Sequence, residues 1–171
     1  METLIVSLIC IALIVFGGMT MSQGFMTSVD ASTAGLEEIG NRDETIIRTV
    51  LTPISASQPS ANTVEIIIEN SGQTKLADFD KWDVIFHYHD DGGTYQVIWM
   101  PYTEGTLDDN EWEVAWIRLN GQDELFEPNV LNPGEQIMIR GQLNPPVGAG
   151  TTNMAVVATP SGVTASIHFS P

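Results

Sequence analysis

Residues 3–21, TLIVSLICIALIVFGGMTM, form an apolar run without any Lys, Arg, Asp or Glu. In a helix this run would rise about 28 Å, close to the thickness of the hydrocarbon core of a bilayer. Such a helix is apolar all round, so it has to be buried in a membrane or against other apolar helices. The residues expected to make those contacts are Leu4, Ile5, Leu8, Ile11, Leu13, Ile14, Val15, Phe16, Met19 and Phe25.

The charges around the run differ from those of an ordinary signal peptide or membrane anchor. Glu2 is the only charged residue before it, and the first basic residue of the chain is Arg42. A signal peptide has a positive n-region, and an anchor usually carries Lys or Arg on its cytoplasmic side. We therefore expect that a basic leader is removed just before Met1 and that the processed chain keeps its apolar helix.

The sequence pattern changes twice after the run. From Phe25 to Val50, apolar residues recur near helical spacing between charged ones, which predicts that the helix continues to residue 51. Pro53, two residues later, prevents it from extending further. That helix would be about 75 Å long. Residues 52–62, TPISASQPSAN, are rich in Ser and Pro and predict a linker.

Residues 63–171 alternate between apolar and polar side chains. The alternation predicts seven strands, at 63–69, 82–89, 94–100, 112–119, 135–143, 153–159 and 163–169. Short strands separated by Gly, Pro, Asn and Asp turns favour an immunoglobulin-like sandwich. The predicted fold class is α+β. A long N-terminal hydrophobic α-helix (residues 1–51) precedes an antiparallel immunoglobulin-like β-sandwich (residues 63–171).

Composition excludes several classes of partner. The chain has 22 acidic and 6 basic residues among 171, a formal charge of −16. This charge argues against binding to nucleic acid or to anionic lipid head groups, which both require Lys and Arg. Cys10 is the single cysteine, so an intramolecular disulfide and a Cys-x-x-Cys zinc site are impossible. We expect its thiol to be buried.

One pattern matches the spacing of a metal site. His87 and His89 stand two residues apart on a predicted strand, and Asp90 and Asp91 follow them. Side chains at this spacing share a face and can bind zinc or copper. The alternative is a set of polar side chains on the solvent face of a hairpin. We favour the alternative, because the sequence places no third His or Cys beside them.

Other candidate sites are weaker. The acidic clusters at 78–83 and 108–111 do not follow the ligand order of an EF-hand, so solvated loops are the favoured interpretation. Trp99, Trp112 and Trp116 would line a sugar-binding face or, as is more usual in strands, belong to the core. The chain has no Gly-x-Ser-x-Gly motif and no glycine-rich phosphate loop. We expect no catalytic residue, no cofactor and no enzymatic activity.

A second stretch carries a resemblance to a known family. Asn70-Ser71-Gly72-Gln73-Thr74-Lys75-Leu76 leads into Phe79-Asp80-Lys81-Trp82-Asp83-Val84. It resembles the N-[ST]-G-x-T-x-L … F-x-x-W-D-V run of the β-domains of archaellins (archaeal flagellins) and archaellum accessory proteins, relatives within the type IV pilin superfamily. The order of apolar helix, amphipathic helix and sandwich is similar too. Type IV pilins usually carry Glu at the fifth mature position, where this chain has Ile5.

The resemblance implies a structural subunit of an archaellum-like or type IV pilus-like extracellular filament that serves motility or adhesion. Many copies would form a helical polymer through the N-terminal helix. The resemblance also implies a membrane-inserted stage, a prepilin-type peptidase and an assembly motor. The alternative is a membrane-anchored, stator-like accessory protein whose sandwich binds an envelope component of the same machinery.

Overall fold

A computed structural model describes residues 2–171, with only the backbone given for Glu2. The described chain divides into two compact units, Met1–Asp43 and Glu44–Pro171, and we call the second unit the β-domain. The elements of the chain are α1 (Glu2–Arg48), β1 (Leu51–Ser60), β2 (Thr63–Asn70), a short 3-10 helix (Phe79–Lys81), β3 (Asp83–His89), β4 (Tyr95–Met100), β5 (Glu111–Leu119), β6 (Gln122–Asp123), β7 (Gln136–Gln142), β8 (Asn153–Ala158) and β9 (Thr164–Phe169).

The predicted long helix is confirmed, but it ends three residues earlier than expected. Thr49 closes the last turn, because its backbone N–H donates to the Ile46 carbonyl at 3.2 Å and its hydroxyl donates to the Thr45 carbonyl at 2.7 Å. Leu51 then enters the core of the β-domain as the first residue of β1. The burial of Leu51 therefore sets the end of the helix before Pro53 can.

The predicted linker at residues 52–62 is wrong, because most of this segment is the edge strand β1. β1 pairs antiparallel with β2, and its register shifts between Pro53 and Ser55 and again between Ser57 and Ser60. Proline lacks a backbone N–H, so it is tolerated on an edge strand, where one side of the strand makes no ladder hydrogen bonds. The Ser and Pro content that resembled a linker is thus compatible with a strand at the edge of a sheet.

The strands form two antiparallel sheets. Sheet 1 has the order β1-β2-β7-β5-β6, and sheet 2 has the order β4-β3-β8-β9. Each of the seven predicted strands agrees with an observed strand to within one residue at either end, and β1 and β6 were missed. β6 has only two residues, too few for an alternating pattern. The predicted hairpin around Asp90–Gly93 is confirmed as the β3–β4 connection.

The core of the β-domain comes from the alternation that predicted the strands. Val64, Ile66 and Ile68 of β2 and Val84 and Phe86 of β3 are almost completely buried, as expected for the inward faces of facing sheets. The remaining buried apolar residues include Tyr88, Met100, Trp112, Leu131, Ile137, Ile139, Leu143, Val157 and Phe169. The β-domain thus has an apolar core of its own within residues 44–171.

Residues 70–73 connect the end of α1 to the sheets of the β-domain through hydrogen bonds. Asn70 is fully buried, and its side-chain amide donates to the carbonyls of Thr74 at 2.8 Å and Leu131 at 3.0 Å. The backbone N–H of Gln73 donates to the Arg48 carbonyl at 2.7 Å. A Cβ at Gly72 would lie 2.5 Å from both the Arg48 oxygen and the Val50 nitrogen. Only glycine allows the two backbone segments to approach this closely.

The second half of the same stretch contributes to the core. The rings of Phe79 and Trp82 are both buried and meet edge to face, with centroids 5.2 Å apart. The indole nitrogen of Trp82 donates to the Ala77 carbonyl at 3.0 Å, which satisfies its one polar atom. Buried tryptophan needs such a partner. These residues have structural roles in the β-domain.

We predict that residues 44–171 fold without the first unit. Circular dichroism should show β structure that melts cooperatively, because the core lies within these residues. A chain that begins at residue 54 would lose Leu51 and part of β1, and it should melt roughly 5–10 °C lower. A helical or unfolded spectrum for residues 44–171 would contradict the prediction.

We predict that Gly72→Ala destabilises the β-domain by about 1–3 kcal/mol, because the added methyl group would overlap backbone atoms of Arg48 and Val50. Gly105→Ala is the matched control, since its Cβ would have Thr103 Oγ1 as nearest neighbour at 3.7 Å. Urea unfolding of both variants measures the difference. Equal stabilities for the two variants would show that the close approach at Gly72 carries no cost.

Candidate assembly surface

The apolar half of α1 exposes its whole circumference. Leu13, Ile14, Val15 and Phe16 are consecutive, and successive helical residues turn by about 100°, so these four side chains point in all directions around the axis. Each is more than half exposed. The same holds for the other residues predicted to mediate assembly: Leu4, Ile5, Leu8, Ile11, Met19 and Phe25. In a single chain this surface therefore has no apolar partner.

Polar groups within the helix are satisfied by the helix itself. The Thr20 hydroxyl donates to the Gly17 carbonyl at 3.0 Å, and the Thr27 hydroxyl donates to the Gln23 carbonyl at 2.9 Å. The Ser7 hydroxyl donates to the Leu4 carbonyl at 2.9 Å. A hydroxyl bonded in this way needs no water, so it is compatible with an apolar environment. The helix is also long and apolar enough to cross a membrane, judged by length and composition alone.

Cys10 lies on this exposed surface. Its thiol is accessible in the single chain, contrary to our expectation of a buried side chain. The same holds for its surroundings on the helix, since residues 3–21 are all exposed.

The histidines predicted as metal ligands lie beside a tyrosine. His87 and His89 are on β3, paired with Val97 and Tyr95 of β4. His87 Nδ1 lies 3.0 Å from the Tyr95 hydroxyl, within hydrogen-bonding distance, and the His89 ring centroid is 5.3 Å from that of Tyr95. Among the side chains of residues 3–171, no three His, Cys, Asp or Glu groups converge as a metal site would require.

The two aspartates next to these histidines have different environments. Asp90 is buried, and its carboxylate accepts hydrogen bonds from the Thr94 backbone at 2.7 Å and the Gln96 side chain at 2.8 Å. The Gln96 bond is the main cause that lowers the pKa of Asp90, with help from the Thr94 N–H. Asp91 is exposed. Asp90 therefore closes the hairpin turn.

The three tryptophans do not form one face. Trp112 is fully buried, which confirms the core interpretation for this residue. Trp99 is on β4 of sheet 2, more than half exposed, and its indole nitrogen donates to Asp83 at 2.8 Å. Trp116 is on β5 of sheet 1, with the Arg118 guanidinium 4.4 Å from its ring centroid. A shared sugar-binding face of the three residues is therefore wrong.

The acidic loop at residues 108–111 fastens a neighbouring connection. The Asp109 carboxylate accepts a hydrogen bond from the Asn144 side chain at 2.7 Å, and Asn110 Oδ1 accepts one from the Asn144 backbone at 2.9 Å. Glu111 Oε2 receives the backbone N–H of Asp108 at 3.3 Å. The side-chain oxygens of this loop therefore accept hydrogen bonds from other groups of the β-domain. The prediction of a purely solvated loop is wrong in this respect.

A loop between β6 and β7 was not singled out from the sequence. Glu124 accepts the backbone N–H groups of Phe126 at 2.6 Å and Glu127 at 3.1 Å, and these bonds lower its pKa. Glu135 is buried beside it, and burial is the main cause that raises the pKa of Glu135, to which the nearby Glu124 carboxylate adds. Only the folded chain brings together these two carboxyl groups, so their pairing was not visible in the sequence.

Comparison with known proteins places the chain among archaeal filament proteins. Residues 1–169 match the model of a family described as archaeal-type flagellin. No curated protein matches the sequence significantly. The fold is similar to the archaellum periplasmic stator protein FlaG from Sulfolobus acidocaldarius, with a TM-score of 0.53 and 24% identity over 71% of this chain and 99% of that one.

Two further structures are similar. The stator complex of FlaF and FlaG from the same organism matches with a TM-score of 0.51 and 25% identity, covering 70% of this chain and 87% of that one. The archaeal flagellum of Methanospirillum hungatei strain JF1 matches with a TM-score of 0.58 and 11% identity, covering 98% of this chain and 92% of that one. The flagellum match extends over nearly the whole chain. It confirms the predicted fold class of one long helix followed by antiparallel sheets.

The pair of Glu124 and Glu135 predicts a pH dependence for the β-domain. Because the pKa of Glu135 is raised above its ordinary value of 4.5, its protonation favours the folded state, and this stability is lost as the pH rises through the folded pKa. Glu135→Gln stays neutral, so it should gain stability relative to the parent between pH 4.5 and pH 7. Urea unfolding at both values tests this.

Glu124→Gln is the control with the opposite sign. The pKa of Glu124 is lowered, so its contribution is present above pH 4.5 and is lost as the pH falls through the folded pKa. This variant should therefore lose stability relative to the parent at neutral pH. Parallel pH profiles for the parent and Glu135→Gln would contradict the assignment of the proton to Glu135.

Proposed function

Because this chain belongs to the archaeal-type flagellin family, we propose that the apolar half of α1 is the surface through which copies of the chain assemble. The protein is a structural subunit of an archaellum-like, multi-copy helical filament at the cell surface. The single observation that carries the proposal is the fully exposed, uncharged circumference of the helix between Leu4 and Phe25. The residues proposed to mediate assembly are the ten apolar residues predicted from the sequence.

The energetics favour burial of this surface over its exposure to water. Full burial of a Leu, Ile, Val, Phe or Met side chain stabilises by about 1.5–3 kcal/mol. The free energy gained by burying ten such side chains exceeds the cost of association, which is roughly 4–15 kcal/mol for lost translational and rotational freedom. The helix is therefore stable only in a lipid or protein environment. The helices of other copies provide such a protein environment.

Transfer from membrane to filament is a different balance. Lipid tails are as apolar as leucine, so a helix that leaves a bilayer for a helix bundle gains packing contacts but little hydrophobic free energy. We therefore propose that the subunit is held in the membrane before assembly and that a motor supplies the work of extrusion. A prepilin-type peptidase that removes a basic leader belongs to the same proposal. The β-domain has no catalytic duty in it.

The geometry of assembly follows from the kind of polymer. A helical filament requires a contact between two different surfaces, because a contact between identical surfaces closes into a dimer. A helix that is apolar all round can meet several neighbours at once, so it can supply contacts in more than one direction. This property fits the core of a polymer better than it fits a single pairwise interface.

A second candidate function is a membrane-anchored, stator-like accessory protein. It is favoured by the likeness to FlaG, with 24% and 25% identity in the two matching structures against 11% for the flagellum. The filament is supported better, because the family model includes the helix and extends over residues 1–169. Shearing of cells distinguishes the two, since a filament subunit is released with the filaments and an anchored protein stays with the membrane.

We predict that Leu8→Asp or Ile11→Asp prevents filament formation. Each variant would bury an unpaired carboxylate among apolar side chains, at a cost of several kcal/mol per subunit. Leu8→Met and Ile11→Val are the matched controls, since they keep the surface apolar and should leave filaments nearly unchanged. Electron microscopy and the amount of subunit in the sheared fraction measure the outcome. Normal filaments in normal number from the Asp variants would contradict a role for this surface in assembly.

A further inference from the structure

Two apolar side chains on the β-domain are almost fully exposed to solvent. Phe126 is 93% exposed and Leu125 is 81% exposed. Among residues 49–171, which follow α1, every other large apolar side chain exposes at most 57% of its surface. Aromatic side chains presented in this way are characteristic of contacts with a partner, because they gain most when they are desolvated.

The loop that carries these residues is held in one conformation. The backbone N–H of Glu124 donates to the Ile117 carbonyl at 2.9 Å, and the Glu124 carboxylate receives the N–H of Phe126 at 2.6 Å. On the other side, the Glu127 carboxylate forms an ion pair with Lys75 at 2.8 Å. Hydrogen bonds from the backbone N–H groups of Phe126 and Glu127 to the Glu124 carboxylate thus order the turn that carries the two exposed apolar side chains. Such preorganisation lowers the entropic cost of binding.

The loop lies at the end of the β-domain where the chain enters it. Glu127 contacts Lys75, and Gln73, two residues before Lys75, bonds to the Arg48 carbonyl at the end of α1. Lys75 is followed by Leu76, whose backbone pairs with that of Leu131. Short contacts therefore connect Phe126 to the residues at which the helix ends.

We propose that Leu125 and Phe126 form an anchor that binds to the apolar half of α1 of a second copy of this chain. The inference rests on the proposed function, which brings the helices of many copies together. It goes beyond that function by assigning to the β-domain a specific contact with the helical layer. The contact joins two different surfaces, as the contacts of an open helical polymer do.

Charge disfavours the outer face of sheet 1 as the surface that the anchor binds. The outer face of sheet 1 carries Glu65, Glu113 and Arg140, joined in ion pairs at 2.9 and 3.1 Å, and would have to be desolvated by an apolar anchor. Residues 3–21 of α1 carry no charge. Farther along the helix, a shallow, mostly apolar groove lined by Ser22, Phe25, Met26, Val29 and Asp30 offers a place for an aromatic ring. The anchor therefore matches the helix in chemistry.

Photo-crosslinking in filaments of the full-length chain tests the contact directly. The probe is p-benzoylphenylalanine at position 126, and the same probe at Tyr95, an exposed aromatic residue on β4, is the control. Irradiation should join position 126 to residues 3–29 of another copy, giving a covalent dimer that mass spectrometry maps. The probe at position 95 should give no adduct to these residues. Normal filaments with no adduct from position 126 to the helix would overturn the proposal.

Substitution gives an independent readout. The double change Leu125→Ser and Phe126→Ser should reduce the subunit in the sheared fraction by about tenfold or more, because both side chains lose their burial. Val97→Ser, on the exposed face of β4, should leave it within about twofold. The unfolding midpoint of residues 44–171 should be unchanged in both variants, which separates assembly from folding.

The outcomes distinguish this inference from the function on which it rests. If the unsubstituted chain stays with the membrane and enters no sheared filament, the proposed function fails and the anchor fails with it. If the filaments form but the double variant assembles as well as Val97→Ser, the anchor alone is overturned. Adducts from position 126 only to β-domain residues of another copy would likewise overturn the helix as the occupant.

Discussion

The uncharged circumference of α1 is the constraint on which the rest of this protein depends. A helix that exposes Leu, Ile, Val and Phe in all directions cannot persist in water. Burial of these side chains yields more free energy than the subunit loses in translational and rotational freedom when it associates. In the part of the chain that the structure describes, residues 3–21 are all exposed. Burial must therefore come from lipid or from other copies, and membership of the flagellin family identifies the polymer as the final state.

The β-domain answers a different physical requirement. Its apolar residues are buried between its own two sheets, and ion pairs on sheet 1 and acidic loops keep the outside polar. A formal charge of −16 opposes non-specific association at close range. Within the β-domain, Phe126 and Leu125 depart furthest from this pattern, since their side chains are the most exposed of its large apolar residues. Exposed apolar side chains on one loop favour association of the β-domain with a partner at that loop.

Several residues that suggested chemistry have structural roles. Asp90 closes a hairpin turn, Asp109 and Asn110 bind the connection at Asn144, and Asn70 joins three backbone segments. Asp90, Asn110 and Asn70 use side-chain atoms to satisfy backbone groups that would otherwise be unpaired, as turns and sandwich ends require. Asp109 instead accepts a hydrogen bond from the side chain of Asn144. The stretch that resembles the archaellin family is of the same kind. Its Asn, Gly, Phe and Trp are needed for close backbone approach and core packing in the β-domain.

The sequence by itself determined the elements that bury either one face or their whole circumference, because such burial leaves a regular pattern of apolar residues. The helix follows from an uncharged run of 19 residues, and seven strands follow from alternation, since burial of one face of a sheet demands a period of two. Only the tertiary structure decided features that depend on distant partners. The helix ends before Leu51 because Leu51 is buried in a core built by residues from Val64 to Phe169, and β1 is a strand because β2 pairs with it. Glu124 and Glu135 meet only across a loop, and Phe126 is exposed because the fold leaves it without a neighbour. Local sequence carries periodicity, whereas the contacts between distant segments exist only after the chain has folded.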